Sequence, residues 1–179
     1  MLRDSRTMKL MVRAQFVLDS WKTVRKDVAA AVREFPADAF DEKPIEGVDS
    51  FRTIARHILN AGNAFPGILL SGVDNLQTPD FREKMKSYMY DLPEDSTPEQ
   101  LAEALEKSIE SRTEQLAGQS GEFFAREITR FDGMRLTRLE MIQFVKEHEL
   151  THRSQLFMLL RLKGMVPPTT KRRMAAAKS

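Results

Sequence analysis

The chain has 179 residues, 41% apolar and 30% charged, which is the balance of one globular domain with room for a proper core, and no stretch is long and apolar enough for a membrane span. The formal net charge of +2 does not mark a nucleic-acid reader: Lys171, Arg172, Arg173 and Lys178 follow Gly164 with no acid among them, the remaining body is mildly acidic, and no basic face interleaved with aromatics is found. Cysteine is absent, which excludes disulfides, thiolate metal ligands and a protein thiol nucleophile, so any sulfur chemistry must use a thiol that arrives with a substrate.

Met1 to Thr7 runs into an amphipathic segment rather than a secretory apolar region, and the expected location is the cytoplasm. From Met8 to Phe35 the residues Leu10, Ala14, Val17, Trp21, Val24, Val28, Ala31 and Phe35 recur at alternating spacings of four and three, the seam of a bundle helix. Lys9, Arg13, Lys22, Arg25, Lys26 and Arg33 fall mostly on its wet side, and Pro36 closes it. The connector from Pro36 to Ser50 is too polar and too broken for a strand. Ser50 is an N-cap for a second helix from Phe51, with Ile54, His57, Ala61, Ala64 and Ile68 on one stripe; Pro66-Gly67 is expected to kink it or end it early.

Between Ser71 and Ser96 the signals are mixed, with a short helix over Phe81 to Tyr90 and a stop at Pro93. Thr97-Pro98-Glu99-Gln100 is a capping box with proline in the first turn; it opens a third helix through Leu101, Leu105, Ile109 and Leu116 that ends near Gly118. Ser120 to Arg135 reads as a connector whose Phe123-Phe124-Ala125 tucks against the bundle, and no segment alternates like a well-formed strand. Thr137 and Glu140 form another capping box and open the fourth helix, which runs to Lys163, stops at Gly164 and cannot resume through Pro167-Pro168. The chain then divides into a helical bundle over 1–168 and a disordered basic tail over 169–179. The expected fold is all-α, a four-helix bundle with long connectors.

On the fourth helix His148 and His152 are four residues apart and share one face, where two imidazoles can grip one ion. Met141, Val145, Gln155, Leu156 and Leu159 lie on the same stripe. Leu139, Leu150 and Phe157 form a second apolar stripe opposite, which predicts a homodimer packed through the helix 137–163. The third histidine, His57, also sits on an inward stripe. An isolated helical pair is equally well read as core histidines bonded to their neighbours. Three unpaired buried imidazoles, however, are costly and invite a common partner. His148-Glu149-Leu150-Thr151-His152 also matches the zinc-protease pattern HExxH, but after Glu149 the chain holds no acid and no further histidine except His152, so the usual downstream ligand is missing. Glu149 is about a quarter turn off the histidine stripe, which reads as a helix-surface residue or a support for the ligands rather than a base.

The run from His148 to Leu156, followed by Leu159-Leu160-Arg161-Leu162-Lys163-Gly164 and Pro167-Pro168, resembles the C-terminal helix of the DinB/YfiT-like metalloenzyme superfamily. Lys43-Pro44, Gly47 and Ser50-Phe51-Arg52 leading to His57 resemble its connector and second-helix histidine, and the likeness spans about Leu10 to Pro168. The resemblance implies an up-down-down-up bundle, often dimeric, with a divalent metal on His57, His148 and His152 and waters completing the coordination. Nitrogen ligands suit zinc, nickel, iron or copper, and three neutral histidines leave coordination positions open for chemistry. The implied activity is a metal-dependent transfer of a low-molecular-weight thiol to a small electrophilic substrate; the alternatives are a non-catalytic metal-binding stress-response dimer and a metal-water hydrolase. Gln155 and Asn60 are candidate polar groups beside the open position or ordinary packing amides, and Trp21 either walls the pocket or fills the core. No nucleic acid and no membrane is expected as a partner.

Overall fold

The seam of the first helix folds as predicted: in the computed structural model, which describes residues 13–178, α1 spans Ala14–Glu34 and buries Val17, Trp21, Val24, Val28 and Ala31. The predicted start at Met8, with Lys9 and Leu10, and the reading of Met1 to Thr7 lie outside the described residues. A short 3-10 turn at Ala37–Ala39 leads through the connector to α2, Phe51–Leu70, whose Ser50 cap accepts from the Thr53 amide at 3.2 Å. The short helix α3, Phe81–Ser87, precedes α4, Pro98–Ala117, whose Thr97–Gln100 capping box forms in full. After the one-turn helix α5, Gly121–Ala125, the Thr137–Glu140 capping box opens α6, Arg138–Leu162.

Helix α1 packs against α4 and α6, and α2 against the same two, so the consecutive helices α1 and α2 lie on a diagonal. Ion pairs and one hydrogen bond fix the directions. Lys22–Glu110 at 2.7 Å and Arg33–Glu99 at 2.9 Å run α1 against α4, while Arg52, at the start of α2, reaches the Ser96 carbonyl just before α4. Arg138 at the start of α6 meets Asp74 beyond the end of α2 at 2.6 Å. The order is therefore up-down-down-up, the predicted four-helix bundle. One apolar cluster gathers around Phe35, Phe40, Phe51, Leu101, Leu105 and Leu160, and a second around Leu18, Trp21, Leu69, Ile109, Met141 and Val145. The two are separated by a polar layer.

Three expectations are corrected. Pro66 neither ends nor interrupts α2, because the fully buried Ile68 and Leu69 beyond it carry the helix on into the core. A small hairpin, β1 at Glu127–Thr129 and β2 at Arg135–Thr137, pairs antiparallel with Ile128 opposite Leu136. Its three-residue strands are too short to show alternation, and its turn places Gly133 at φ +86°, a backbone that glycine adopts without strain. The segment read as a disordered tail instead forms helix α7, Pro168–Ala176, held to α1 by Arg172–Asp27 and by Lys171–Glu34 at 3.0 Å. Of the stripe that predicted a subunit interface, Leu139 and Phe157 pack on the chain's own two clusters, and Leu150 is half-buried.

Candidate metal centre

The three histidines, from two helices, converge. The His148 Nε2 atom lies 3.0 Å from His57 Nε2 and 3.1 Å from His152 Nε2, and the three ligand atoms all fall within 4.8 Å of one another. Their rings meet edge to face, with centroids 4.9, 4.6 and 4.4 Å apart. His152 and Gln155, three residues on, are neighbours on the helix, and the His152 Nδ1–H donates to Gln155 Oε1 at 2.7 Å. That bond assigns the tautomer and leaves the Nε2 lone pair facing the other two rings. Partial burial, followed by the nearby His152, pushes the His57 imidazole below its ordinary value. Burial first, then His152 and His57, hold His148 down at about 4. Both rings therefore keep free nitrogen lone pairs near neutral pH.

The rotation of α6 that aims the pair is set by a contact that periodicity does not reveal. Glu149, 2% exposed, accepts from Arg25 Nε at 2.6 Å, from Arg25 Nη2 at 2.7 Å and from the Trp21 indole N–H at 2.6 Å. Arg25 also donates to the Leu105 carbonyl of α4 at 3.2 Å, and a Cβ placed on Gly62 of α2 would come within 2.1 Å of Arg25 Nη2. Every main helix thus contributes to this polar layer. Glu149 is not a surface residue, and Arg25, assigned to the wet side of α1, is fully buried. A signal was present: Arg25 follows Trp21 by four and precedes Val28 by three, so it sits within the seam. Asp27, 2% exposed, performs a similar service one turn along, pairing with Arg153 of α6 at 2.9 Å and with Arg172 of α7.

A cavity of about 940 Å³ opens beside the histidines and is lined by His57, His152 and Gln155 at one end. Gln155 lines the cavity next to His152. Trp21 is fully buried in the core with its N–H spent on Glu149, so it fills the interior rather than walling the pocket. Asn60 is half-buried on α2 and does not line this cavity.

A family model described as the DinB family matches residues 9–178. Among solved structures, the chain is similar to YjoA, a DinB-like protein of Bacillus subtilis, with a TM-score of 0.67 at 20% identity over 84% of this chain and 94% of that one. It is similar to YfiT of Bacillus subtilis, described as a probable metal-dependent hydrolase with an unusual four-helix bundle topology (TM-score 0.63, 18% identity, 88% and 92% covered). It also matches a mycothiol-dependent maleylpyruvate isomerase at a TM-score of 0.58 and 14% identity, covering 81% of this chain and 61% of that one. At these identities the likeness establishes the fold. No curated protein matches the chain, and no helix among the described residues is long and apolar enough to cross a membrane.

Proposed function

The chain belongs to the DinB family, and from that premise we propose that it is a metal-dependent enzyme in which His57, His148 and His152 hold one divalent ion. The reaction proposed for it moves a low-molecular-weight thiol onto a small electrophile. The observation that carries the reading is the convergence of three Nε2 atoms, two of their separations being 3.0 and 3.1 Å. Two nitrogens about 2.0–2.1 Å from one tetrahedral ion stand about 3.3–3.4 Å apart, so small shifts make the donor set fit. Three aromatic nitrogens without cysteine or carboxylate suit zinc, nickel or iron.

Such an ion supplies Lewis acidity, favouring the deprotonated form of a thiol or a water. The protein's own residues do the rest. Gln155 fixes the His152 tautomer, partial burial keeps His57 and His148 neutral, and the Glu149–Arg25–Trp21 layer holds α6 in register. Glu149 has both oxygens engaged in the core and takes no proton from a substrate, which removes the general base of a protease-like mechanism. With no cysteine in the chain, the sulfur comes from a co-substrate. Support for a thiol partner comes from the fold shared with the mycothiol-dependent isomerase. This reading puts the protein in the cytoplasm, where small thiols stay reduced.

A second reading, hydrolysis of a small substrate, is favoured by the description of YfiT and uses the same histidines. The third, a non-catalytic metal-binding dimer, rests on the family resemblance and on the half-buried Leu150 of α6. One experiment separates them. Metal-loaded protein, its content fixed by elemental analysis, is incubated with a panel of thiols and electrophiles alongside His148→Ala. Thiol-dependent turnover that the variant lacks supports the transferase, and turnover without thiol makes it a hydrolase. Metal retention with no turnover on any pair, together with a dimer by light scattering, leaves the binding module.

A further inference from the structure

The cavity beside the histidines has two unlike ends. At one end stand His57, His152 and Gln155, and the wall leading away from them is made by Phe35, Ile45, Val48, Met158 and Leu162. Three of these are wet: Ile45 and Leu162 are each 67% exposed and Met158 is 57% exposed. Large apolar side chains gathered around one opening, rather than scattered, mark a surface that something apolar covers. The charges around the cavity do not alter this. Glu42 and Lys163 neutralise each other at 2.7 Å, and the remaining Lys43 and Asp49 are of opposite sign. The wall therefore offers no net charge with which to select a phosphate or a polyanion.

We propose that the cavity binds the apolar body of the substrate, an aliphatic or aryl group of medium length, along Ile45, Met158 and Leu162, with its polar reactive end at the histidines. The occupant is a small molecule because the volume, about 940 Å³, is that of a ligand cavity and it opens onto His57 and His152, two of the three clustered imidazoles. This assignment of substrate class rests on the reading of the histidines as the reacting end.

Straight-chain carboxylates from butanoate to decanoate serve as probes, titrated calorimetrically into metal-loaded and metal-free protein. Affinity is expected to rise about threefold to fourfold with each added methylene until the wall is covered. Met158→Lys and Leu162→Lys change exposed positions, so the fold survives, as circular dichroism verifies. Each is expected to weaken decanoate at least tenfold, to leave butanoate little changed, and to retain the wild-type metal content. Met174→Lys, exposed on α7 and outside the cavity wall, is expected to match wild type. A series with no chain-length dependence, in protein that does hold its metal, overturns the assignment while the metal reading stands. A change of oligomeric state in Met158→Lys or Leu162→Lys overturns it too, since the face is then a subunit interface. If no metal binds while affinity still climbs with chain length, the cavity's preference is upheld and the metal reading is the one that fails.

Discussion

At the scale of single residues, the site depends on which nitrogen of each imidazole is free. Gln155 settles this for His152 through the 2.7 Å bond to Nδ1. Removing the amide in Gln155→Leu lets the ring rotate and exchange tautomers, and metal affinity is expected to fall about 10–100-fold, read by competition with a chromophoric chelator. An unchanged affinity would show that the ring is held by packing alone. His148 gives a pH signature. Its imidazole is held down at about 4 in the folded chain against 6.5 as the ordinary value. Between these values the unfolded chain binds the proton and the folded one does not, so stability falls as the solution is acidified through that window. Metal-free protein is expected to lose urea resistance from about pH 6.5 down to about pH 4, and His148→Gln to lose less over the same range. His57, shifted in the same direction, adds to the effect.

At the scale of elements, the register of α6 is set by a buried ion pair rather than by its histidines. Arg25 and Glu149 have side chains 0% and 2% exposed, and desolvating both leaves each dependent on the other. Glu149→Gln removes the charge partner of Arg25 and is expected to cost about 3–5 kcal/mol in urea denaturation. Gly62→Ala drives a methyl against Arg25 Nη2, 2.1 Å away, and Arg25 cannot yield because it is pinned to α4 and α6. The expected cost is about 1–3 kcal/mol. Since both substitutions act on the same guanidinium, the double variant is expected to lose less than the two costs added together. Full additivity would mean that the contact between Gly62 and Arg25 is slack. Helix α7 shows the same principle at the surface: basic residues that composition assigns to a tail find Asp27 and Glu34 on α1 and become ordered.

At the scale of the molecule, the ligands come from α2 and α6, antiparallel neighbours whose relative position exists only in the folded bundle. An ion bound by all three histidines therefore stabilises the native state by mass action. At free metal a hundredfold above Kd the gain is about 2.7 kcal/mol. For a chain of this size that raises Tm by about 5–10 °C, and a chelator is expected to reverse it. No shift in protein with one ion bound per chain would mean that the unfolded chain holds the metal equally well, against a site built by the fold.

Most of the bundle was legible because it is encoded locally. The seam of α1, the two capping boxes and the four-residue spacing of His148 and His152 are properties of a single helix, and periodicity reports them without reference to any other element. The inward stripe of His57 suggested that it joins the pair, and the resemblance named it as a ligand and supplied the up-down-down-up order. What required the tertiary structure was the fate of polar groups. Arg25 meets Glu149 across 124 residues, Arg172 meets Asp27 across 145, and Ile128 finds Leu136 only once the hairpin closes. Nor does any short window show that the connector and the end of α6 leave a cavity beside the imidazoles. Periodicity tells which face of a helix avoids water; which charges follow it inside depends on partners that are distant in the chain and adjacent only in the packed bundle.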